Sequence, residues 1–554
     1  MKPFFITTAI DYTNGAPHIG HAYEKVLADV MARFHRASGE EVFFLTGVDQ
    51  HGQKVQQSAE RQGVAPQEYV DGVTVKFRAL WEKLGIGYTG WAATTDSVHK
   101  ECVRANLRLL WKDKVPGTDR SRWIYRKTQR GFYSVRQEQF LTDKERGPDG
   151  EFGPEWQPVE EREEENFYFR LTAHPDLGFD PKQWLIDLID RRDKEGNSFV
   201  VPGFRVAELR NAVEKLEGDL CISRPASRLQ WGIPFPEEFG EGFVTYVWFD
   251  ALVNYITFAP GHDPNYGERG AVHTSLSTSF SDWWPPLHVI GKDILIPAHG
   301  VYWPIMLKAL GFSDAEMPTL LVHGWWNIRG KGGSSEKMSK SLGNVVDPDI
   351  LADRYGAAAV RYYLMSDIAT GRDADFSEER LVQRYNVDLA NGLGNLVNRT
   401  LNMTRKYREG SPRLAAFPED LASHLAGNSS AFGDYLRFMK EGQIQSGLER
   451  LGDVVNRANA LVDTSAPWKL AKDPEQAERL DAVLSALLLS ARTAATMLLP
   501  VLPEAAAEIL IQLNLNAEPF AMNAVPELPE GYRCGEPKPV FPRLELAAEE
   551  DAPA

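Results

Sequence analysis

The sequence predicts an α/β fold: a parallel sheet interrupted by an insertion and followed by an all-helical domain. Two observations predict the sheet. The apolar runs 4–6 and 41–46 flank a segment, 24–34, whose apolar positions recur at helical spacing, which is the pattern of a β-α-β unit. After a long interval of different character, the strand-to-helix piece 245–255 and the strand 288–293 resume it. The third observation is that beyond Arg380 the chain becomes almost wholly helical in pattern, as in 387–407 and 482–499.

Composition narrows the class. A chain of 554 residues, 43% hydrophobic and 25% charged, has room for three or four folded domains and does not read as disordered. No apolar run approaches membrane-spanning length, and the N-terminus enters its first strand without a basic region and cleavage site. A cytoplasmic protein with no membrane partner is therefore expected. Cys102, Cys221 and Cys534 are too far apart for a metal-binding pair and too few for a disulfide framework, so buried reduced thiols are expected. The formal charge of −16 argues against a nucleic-acid coat but leaves room for a local basic face.

Taken in order, the first element is residues 5–21, an apolar strand that runs through a Gly/Pro turn into a helix beginning near His18-Ile-Gly-His21. Such a junction directs backbone N–H groups and the positive end of the helix dipole at the C-terminal edge of the strand, where phosphate is the natural occupant. Gly20 has no side chain to hold off a flat base or ribose, and His18 and His21 can donate to phosphoryl oxygens. An isolated His-x-Gly-His is as often an ordinary helix start.

The strand 41–46 is closed by the polar turn Gly47-Val-Asp-Gln-His-Gly52, at the edge where open α/β sheets bind ligands. Helical stretches continue to about 114. From about 115 to 230 come Arg/Glu-rich, hairpin-like pieces, including the acidic run 159–166, which reads as a solvated face. The sheet region resumes over 231–325. A Gly/Ser-rich loop carrying Lys337-Met-Ser-Lys-Ser341 opens a linking region, 326–385, in which mobile lysines can close over a polyphosphate. The helical domain occupies 386–546, and the acidic tail 547–554 is expected to be disordered.

The two short motifs, in this order, resemble the HIGH and KMSKS motifs of class I aminoacyl-tRNA synthetases, which implies a Rossmann-type sheet. Thr8-Ala-Ile-Asp-Tyr-Thr-Asn-Gly15, Phe44-Leu-Thr-Gly-Val-Asp-Gln-His-Gly52, Tyr246-Val-Trp-Phe-Asp-Ala-Leu252 and Asn395-Leu-Val-Asn-Arg399 narrow the resemblance to methionyl-tRNA synthetases, over nearly the whole chain. The resemblance implies an enzyme that activates L-methionine with ATP and transfers it to the terminal adenosine of tRNA(Met). It also implies roles for individual residues. Ala9, Ile10, Tyr12, Trp248, Ala251, Leu252, Tyr255 and His299 match the methionine pocket, and Asp49 matches the carboxylate that holds the ammonium group. Sulfur on aromatic rings is worth about 0.3–1.5 kcal/mol, so a donor such as the Tyr255 hydroxyl is expected to sharpen rejection of leucine-like side chains.

For ATP, the resemblance implies contacts to phosphate from His18 and His21, adenosine over Gly20, and ribose hydroxyls at Asp293 beside Gly291. Lys337 and Lys340, flanking Ser339 and Ser341, neutralise the departing pyrophosphate, and Mg²⁺ bridges the phosphates. The helical domain becomes an anticodon-binding domain, with Asn395 and Arg399 one helical turn apart and Trp468 able to stack an unpaired base. Arg405, Lys406 and Arg408 supply positive charge nearby. No further tRNA-binding module follows the helices, so a monomer is expected.

Three departures from the family pattern stand out: Asp11 in place of the usual proline or aromatic residue, one extra residue before His299, and an extended loop before Lys337. A fourth concerns metal. Relatives commonly carry a zinc knuckle in the insertion, but Ser134 and Gln137 stand where a cysteine pair belongs, and neither supplies a thiolate. The insertion is expected to fold without structural zinc, through hairpin pairing and packing of Phe132, Tyr133, Phe140 and Trp156. Another class I synthetase, or a catalytically silent tRNA-binding paralogue, remains the alternative at this stage.

Overall fold

Strand β1 (Phe4–Tyr12) is buried on both sides from Phe5 to Thr8, as expected of a parallel strand covered by helices on each face. Helix α1 (Ile19–Ala37) follows, then β2 (Val42–Asp49) and β3 (Gly90–Ala93), all parallel. The computed structural model describes residues 2–134, 139–141, 143–192, 198–263, 278–329, 335–338, 345–413, 416–520 and 527–546. The acidic tail from 547 lies outside them.

Both early strands run further than the apolar pattern indicates. Tyr12 and Asp49 end β1 and β2 and face each other in register, so Gly47, Val48 and Asp49 belong to the strand and not to a turn. Gly47 explains part of this: a Cβ there would meet the Ala92 carbonyl oxygen at 2.0 Å, so glycine is what lets β2 and β3 approach.

The insertion contains a four-stranded antiparallel sheet. Its centre is the pairing of β4 (Ile124–Ser134) with β6 (Val159–Phe169); β5 (Gln139–Leu141) flanks β4, and β8 (Leu220–Cys221) flanks β6. The acidic run is the outer part of β6, with Glu160, Glu161 and Glu163 exposed. One piece of the region read as insertion belongs elsewhere: β7 (Val200–Val201) pairs in parallel with the far edge of the main sheet. Two residues are too short to leave a periodic signal.

A two-stranded ribbon, β9 (Ser223–Pro225) with β10 (Phe243–Thr245), leads back to the main sheet, completed by β11 (Leu287–Gly291) and β12 (Thr319–His323). The order is β3-β2-β1-β11-β12-β7. The sense of winding reverses between β1 and β11, which in an open α/β sheet is the crevice that binds ligands. A small sheet then joins β13 (Trp326–Arg329), β14 (Ser335–Lys337) and β15 (Ala374–Asp375).

The C-terminal region is helical, with long helices at Asn395–Arg408, Glu419–Lys440, Ile444–Ser465, Ala477–Leu498 and Pro503–Leu513. The helix 474–498 is long and apolar enough to cross a membrane by length and composition, although no uninterrupted apolar run is, but 94% of its 18-residue apolar window is buried inside the protein. It is the core helix of the bundle. One apolar core runs from Ile6 and α1 through Tyr363 to Leu487, so the sheet and the bundle share an interior.

Candidate active site

The site forms where β1 and β2 end and α1 begins. His18 caps the helix, and the cap defines the proton positions on both histidines. Gly20 N–H donates to His18 Nδ1 and His18 N–H donates to His21 Nδ1, each at 3.1 Å. Both Nδ1 atoms are acceptors, so in the neutral rings the protons sit on Nε2. The rings stack 3.7 Å apart. Two N–H donors side by side suit adjacent phosphoryl oxygens.

Two readings of this turn change. The N–H groups of Ile19 and Gly20 are already taken, by Val346 carbonyl and His18 Nδ1, so the open helix terminus expected from sequence is partly filled. A Cβ on Gly20 would meet the His18 ring at 3.0 Å, so the glycine makes room first for the cap. The bond from Ile19 to Val346, at 3.1 Å, brings the chain five residues after Ser341 onto the start of α1. Lys337 ends β14 opposite Asn327. Ser339, Lys340 and Ser341 lie outside the described residues, as does Gln137.

On the amino-acid side, Asp49 is nearly buried; burial and then the Asp250 carboxylate push its carboxyl well above the usual range. Asp250 has the opposite bias. Burial opposes ionisation there, but His51 Nδ1 and His99 Nε2, each 2.7 Å away, hold its carboxyl low. Asp49 thus stands beside a fixed negative charge and gains most from a cation arriving within reach. Tyr12 reaches across, its hydroxyl so close to Gly52 that a Cβ there would lie 2.7 Å away. His51, His99 and Asp250 went unassigned in the sequence, although His51 and Asp250 sit inside the quoted motifs.

The residues matched to the methionine side chain lie on three elements. Ala9 and Ile10 are half-buried at the end of β1, Trp248 and Ala251 are half-buried on the helix Val247–Leu252 with Leu252 turned to the core, and Tyr255 follows. His299 Nδ1 lies 3.1 Å from the Ile294 carbonyl and must donate to it, so Nε2 accepts from the Tyr255 hydroxyl at 2.8 Å. Burial lowers the His299 pKa to about 4, which keeps the ring neutral. The proton of Tyr255 is therefore directed at His299 and not held out for sulfur, as the sequence reading had it. Behind them, Trp303 Nε1 donates to His288 Nε2 at 3.0 Å and Thr7 Oγ1 sits 2.6 Å from His288 Nδ1.

Gly291 closes β11 and Asp293 is exposed just beyond; a Cβ on Gly291 would meet Asp293 Oδ1 at 2.6 Å. In the helical domain Asn395 is exposed, Arg399 pairs with Asp463 at 2.9 Å, and Trp468 is 39% exposed, not a core tryptophan. Arg408 differs from expectation: it bonds Asp481 at 2.7 Å, and Arg405 pairs with Glu536. The Arg408 pair is largely buried, whereas the Arg405 pair is exposed.

The family model described as tRNA synthetases class I (M) matches residues 4–150 and 156–401. The chain belongs to this family. It is 38% identical over 559 residues to the methionine–tRNA ligase of Deinococcus radiodurans, covering 99% of this chain and 76% of that protein. Against the methionine–tRNA ligase of Streptococcus pyogenes serotype M1 it is 36% identical over 571 residues, covering 99% and 79%. Among solved structures, Mycobacterium tuberculosis methionyl-tRNA synthetase in complex with methionyl-adenylate superposes with a TM-score of 0.85 at 34% identity, covering 98% of this chain and 100% of that one. Its free state superposes with a TM-score of 0.78 at 32% identity, covering 99% of each chain.

Among the described residues no group of three or more His, Cys, Asp or Glu side chains is arranged to hold an ion. Ser134 is buried with its hydroxyl donating to the Trp156 carbonyl at 2.5 Å, Phe132 packs on Phe152, and Arg162 and Arg228 stack on Tyr133. These polar and aromatic contacts surround Ser134. The Phe140 side chain lies outside the described residues.

Proposed function

We propose that this chain joins L-methionine to tRNA(Met) in two steps at the crevice between β1 and β11. In the first, a methionine carboxylate oxygen attacks the α-phosphorus of ATP in line, the bond to the β-phosphate bridging oxygen breaks, and pyrophosphate leaves. In the second, a hydroxyl of the terminal adenosine attacks the carbonyl of methionyl-adenylate and AMP leaves. No protein nucleophile is required, so the work is positioning and charge stabilisation.

Asp49 receives the ammonium group. Ala9, Ile10, Tyr12, Trp248, Ala251, Leu252, Tyr255 and His299 line the side-chain slot, with neutral His299 keeping the Tyr255 hydroxyl fixed. The Nε2–H groups of His18 and His21 meet the phosphates, Gly20 and Gly291 admit the nucleoside, and Asp293 accepts from the ribose. Lys337, Ser339, Lys340 and Ser341 close over the pyrophosphate, and Mg²⁺ enters as part of the ATP complex. Asn395, Arg399 and Trp468 meet the anticodon on a separate domain, in a cytoplasmic monomer whose insertion folds without zinc.

The observation that carries this reading is the bond from Ile19 to Val346, because it sets the chain leaving the second motif on the helix that begins the first. ATP–pyrophosphate exchange tests it. Exchange that depends on L-methionine supports the reading, and exchange driven by leucine, isoleucine or valine instead would assign the site to another substrate. Tight tRNA binding without any exchange would mark a silent paralogue.

A further inference from the structure

Lys25 is a lysine with no solvent-exposed side-chain surface, and its ammonium group finds three acceptors: Asp11 Oδ1 at 2.6 Å, Glu24 Oε1 at 2.9 Å and the Ala9 carbonyl at 3.0 Å. Glu24 is bonded in turn by His323 Nε2 at 3.0 Å. The cluster ties the end of β1 to α1 and to the end of β12. Burial acts against its charges, but each partner holds the other ionised: Asp11 and Glu24 keep Lys25 raised, and Lys25 and His323 keep Glu24 lowered.

The acceptor on Ala9 shows what the cluster is for. β1 pairs with β11 only as far as Thr8, and its pairing with β2 slips between Thr7 and Ile10. Ala9 sits at that slip. Beyond it the strand carries Ile10 and Tyr12, and Tyr255 and His299 are close enough to feel the charge of Glu24. A buried ion pair is seldom more stable than apolar residues of the same volume, so stability alone is a poor reason to keep one. Asp11 supplies the shortest of the three contacts to the ammonium group, at 2.6 Å, and the charge that opposes it.

We infer that Lys25, held by Asp11, is a positioning residue for methionine recognition: where the ladder slips, its ammonium joins the Thr8 hydroxyl on the Ala9 carbonyl, ties that carbonyl to α1 and fixes the strand end that carries Ala9, Ile10 and Tyr12. This rests on the assignment of that strand end to the methionine subsite. Lys25 touches no substrate in this scheme and acts through the backbone of β1.

The test is methionine-dependent ATP–pyrophosphate exchange on the full chain with each substrate varied. Lys25→Met is expected to raise the KM for methionine about tenfold or more, since the Ala9 carbonyl keeps only the hydroxyl of its own neighbour Thr8, at 2.9 Å, and loses its tie to α1, and to leave the KM for ATP within about threefold. Because the single variant takes the ammonium group from Asp11 and Glu24 together, and Glu24 keeps His323, the double variant Asp11→Leu/Lys25→Met keeps the test sound if the single one does not fold, and should show the same rise. The amide pair Asp11→Asn/Lys25→Gln restores neutral hydrogen bonds and should return the methionine KM to within about threefold of wild type. A methionine KM within twofold of wild type in the apolar double variant overturns the inference, as does an equal rise for both substrates. Wild-type protein that exchanges with a different amino acid would instead overturn the methionine assignment itself.

Discussion

Arg361 places Nη2 2.7 Å from Asp29 Oδ2, with the arginine side chain 5% exposed and the aspartate fully buried. The same guanidinium donates to the Leu84 carbonyl at 3.0 Å and to the Val501 carbonyl at 2.9 Å. One side chain from the linking region thus meets α1, the sheet half and the helical bundle. Removing Arg361 would leave the buried charge of Asp29 to the Gly87 N–H and to Arg33 and Arg36, of which Arg33 is itself partly exposed. Arg361→Ala is expected to destabilise the protein by about 3–5 kcal/mol, read from chemical denaturation. A loss below 1 kcal/mol would mean that water enters and compensates.

Acid should weaken the amino-acid side first. Burial lowers His299 to about 4, against 6.5 when unfolded, so the folded protein resists a proton that the unfolded chain accepts. Stability from this group is complete above about pH 6.5 and is lost as pH falls towards 4, by about 3 kcal/mol at 1.36 kcal/mol per pH unit. His288, also pushed down by burial, adds in the same direction. Replacing His299 by Gln should flatten the fall in stability between pH 6.5 and 4; an unchanged profile would assign it to other groups.

Lys340→Ala should slow adenylate formation while leaving methionine affinity nearly unchanged, because its ammonium acts on charge that develops as pyrophosphate departs. Loss of one such contact costs about 2.7–4 kcal/mol in the barrier. Pre-steady-state measurement of adenylate formation decides this, and a wild-type rate sinks it.

Trp468→Ala should impair charging of tRNA with little effect on exchange or on melting temperature, since the ring is exposed and lies on the bundle. The stacking of one base is worth about 1–3 kcal/mol. Parallel losses in exchange and charging would instead identify Trp468 as a folding residue.

Chelation should leave the insertion intact, because Ser134 already donates to Trp156 and the Tyr133 ring is covered by two arginines. A zinc-dependent knuckle would lose its folding energy with the ion. Stoichiometric zinc that survives dialysis would refute the metal-free reading.

What the sequence by itself determined was whatever short-range pattern encodes: the β-α-β start, the two motifs, the helical C-terminal region and the departure at Asp11. Periodicity and motif spacing are properties of neighbours in the chain, so they survive without a fold. The tertiary structure alone decided the rest, in each case through contacts between distant residues. The edge strand at Val200 was invisible because two residues have no period. The strand ends at Tyr12 and Asp49 were misread because polar residues and glycine break the apolar signal there. The proton on Tyr255 points at His299, 44 positions away, only because the Ile294 carbonyl claims the other nitrogen. Lys25 was not singled out in the sequence, and is a buried clamp because Asp11, Glu24 and the Ala9 carbonyl converge on it once β1 and α1 pack together.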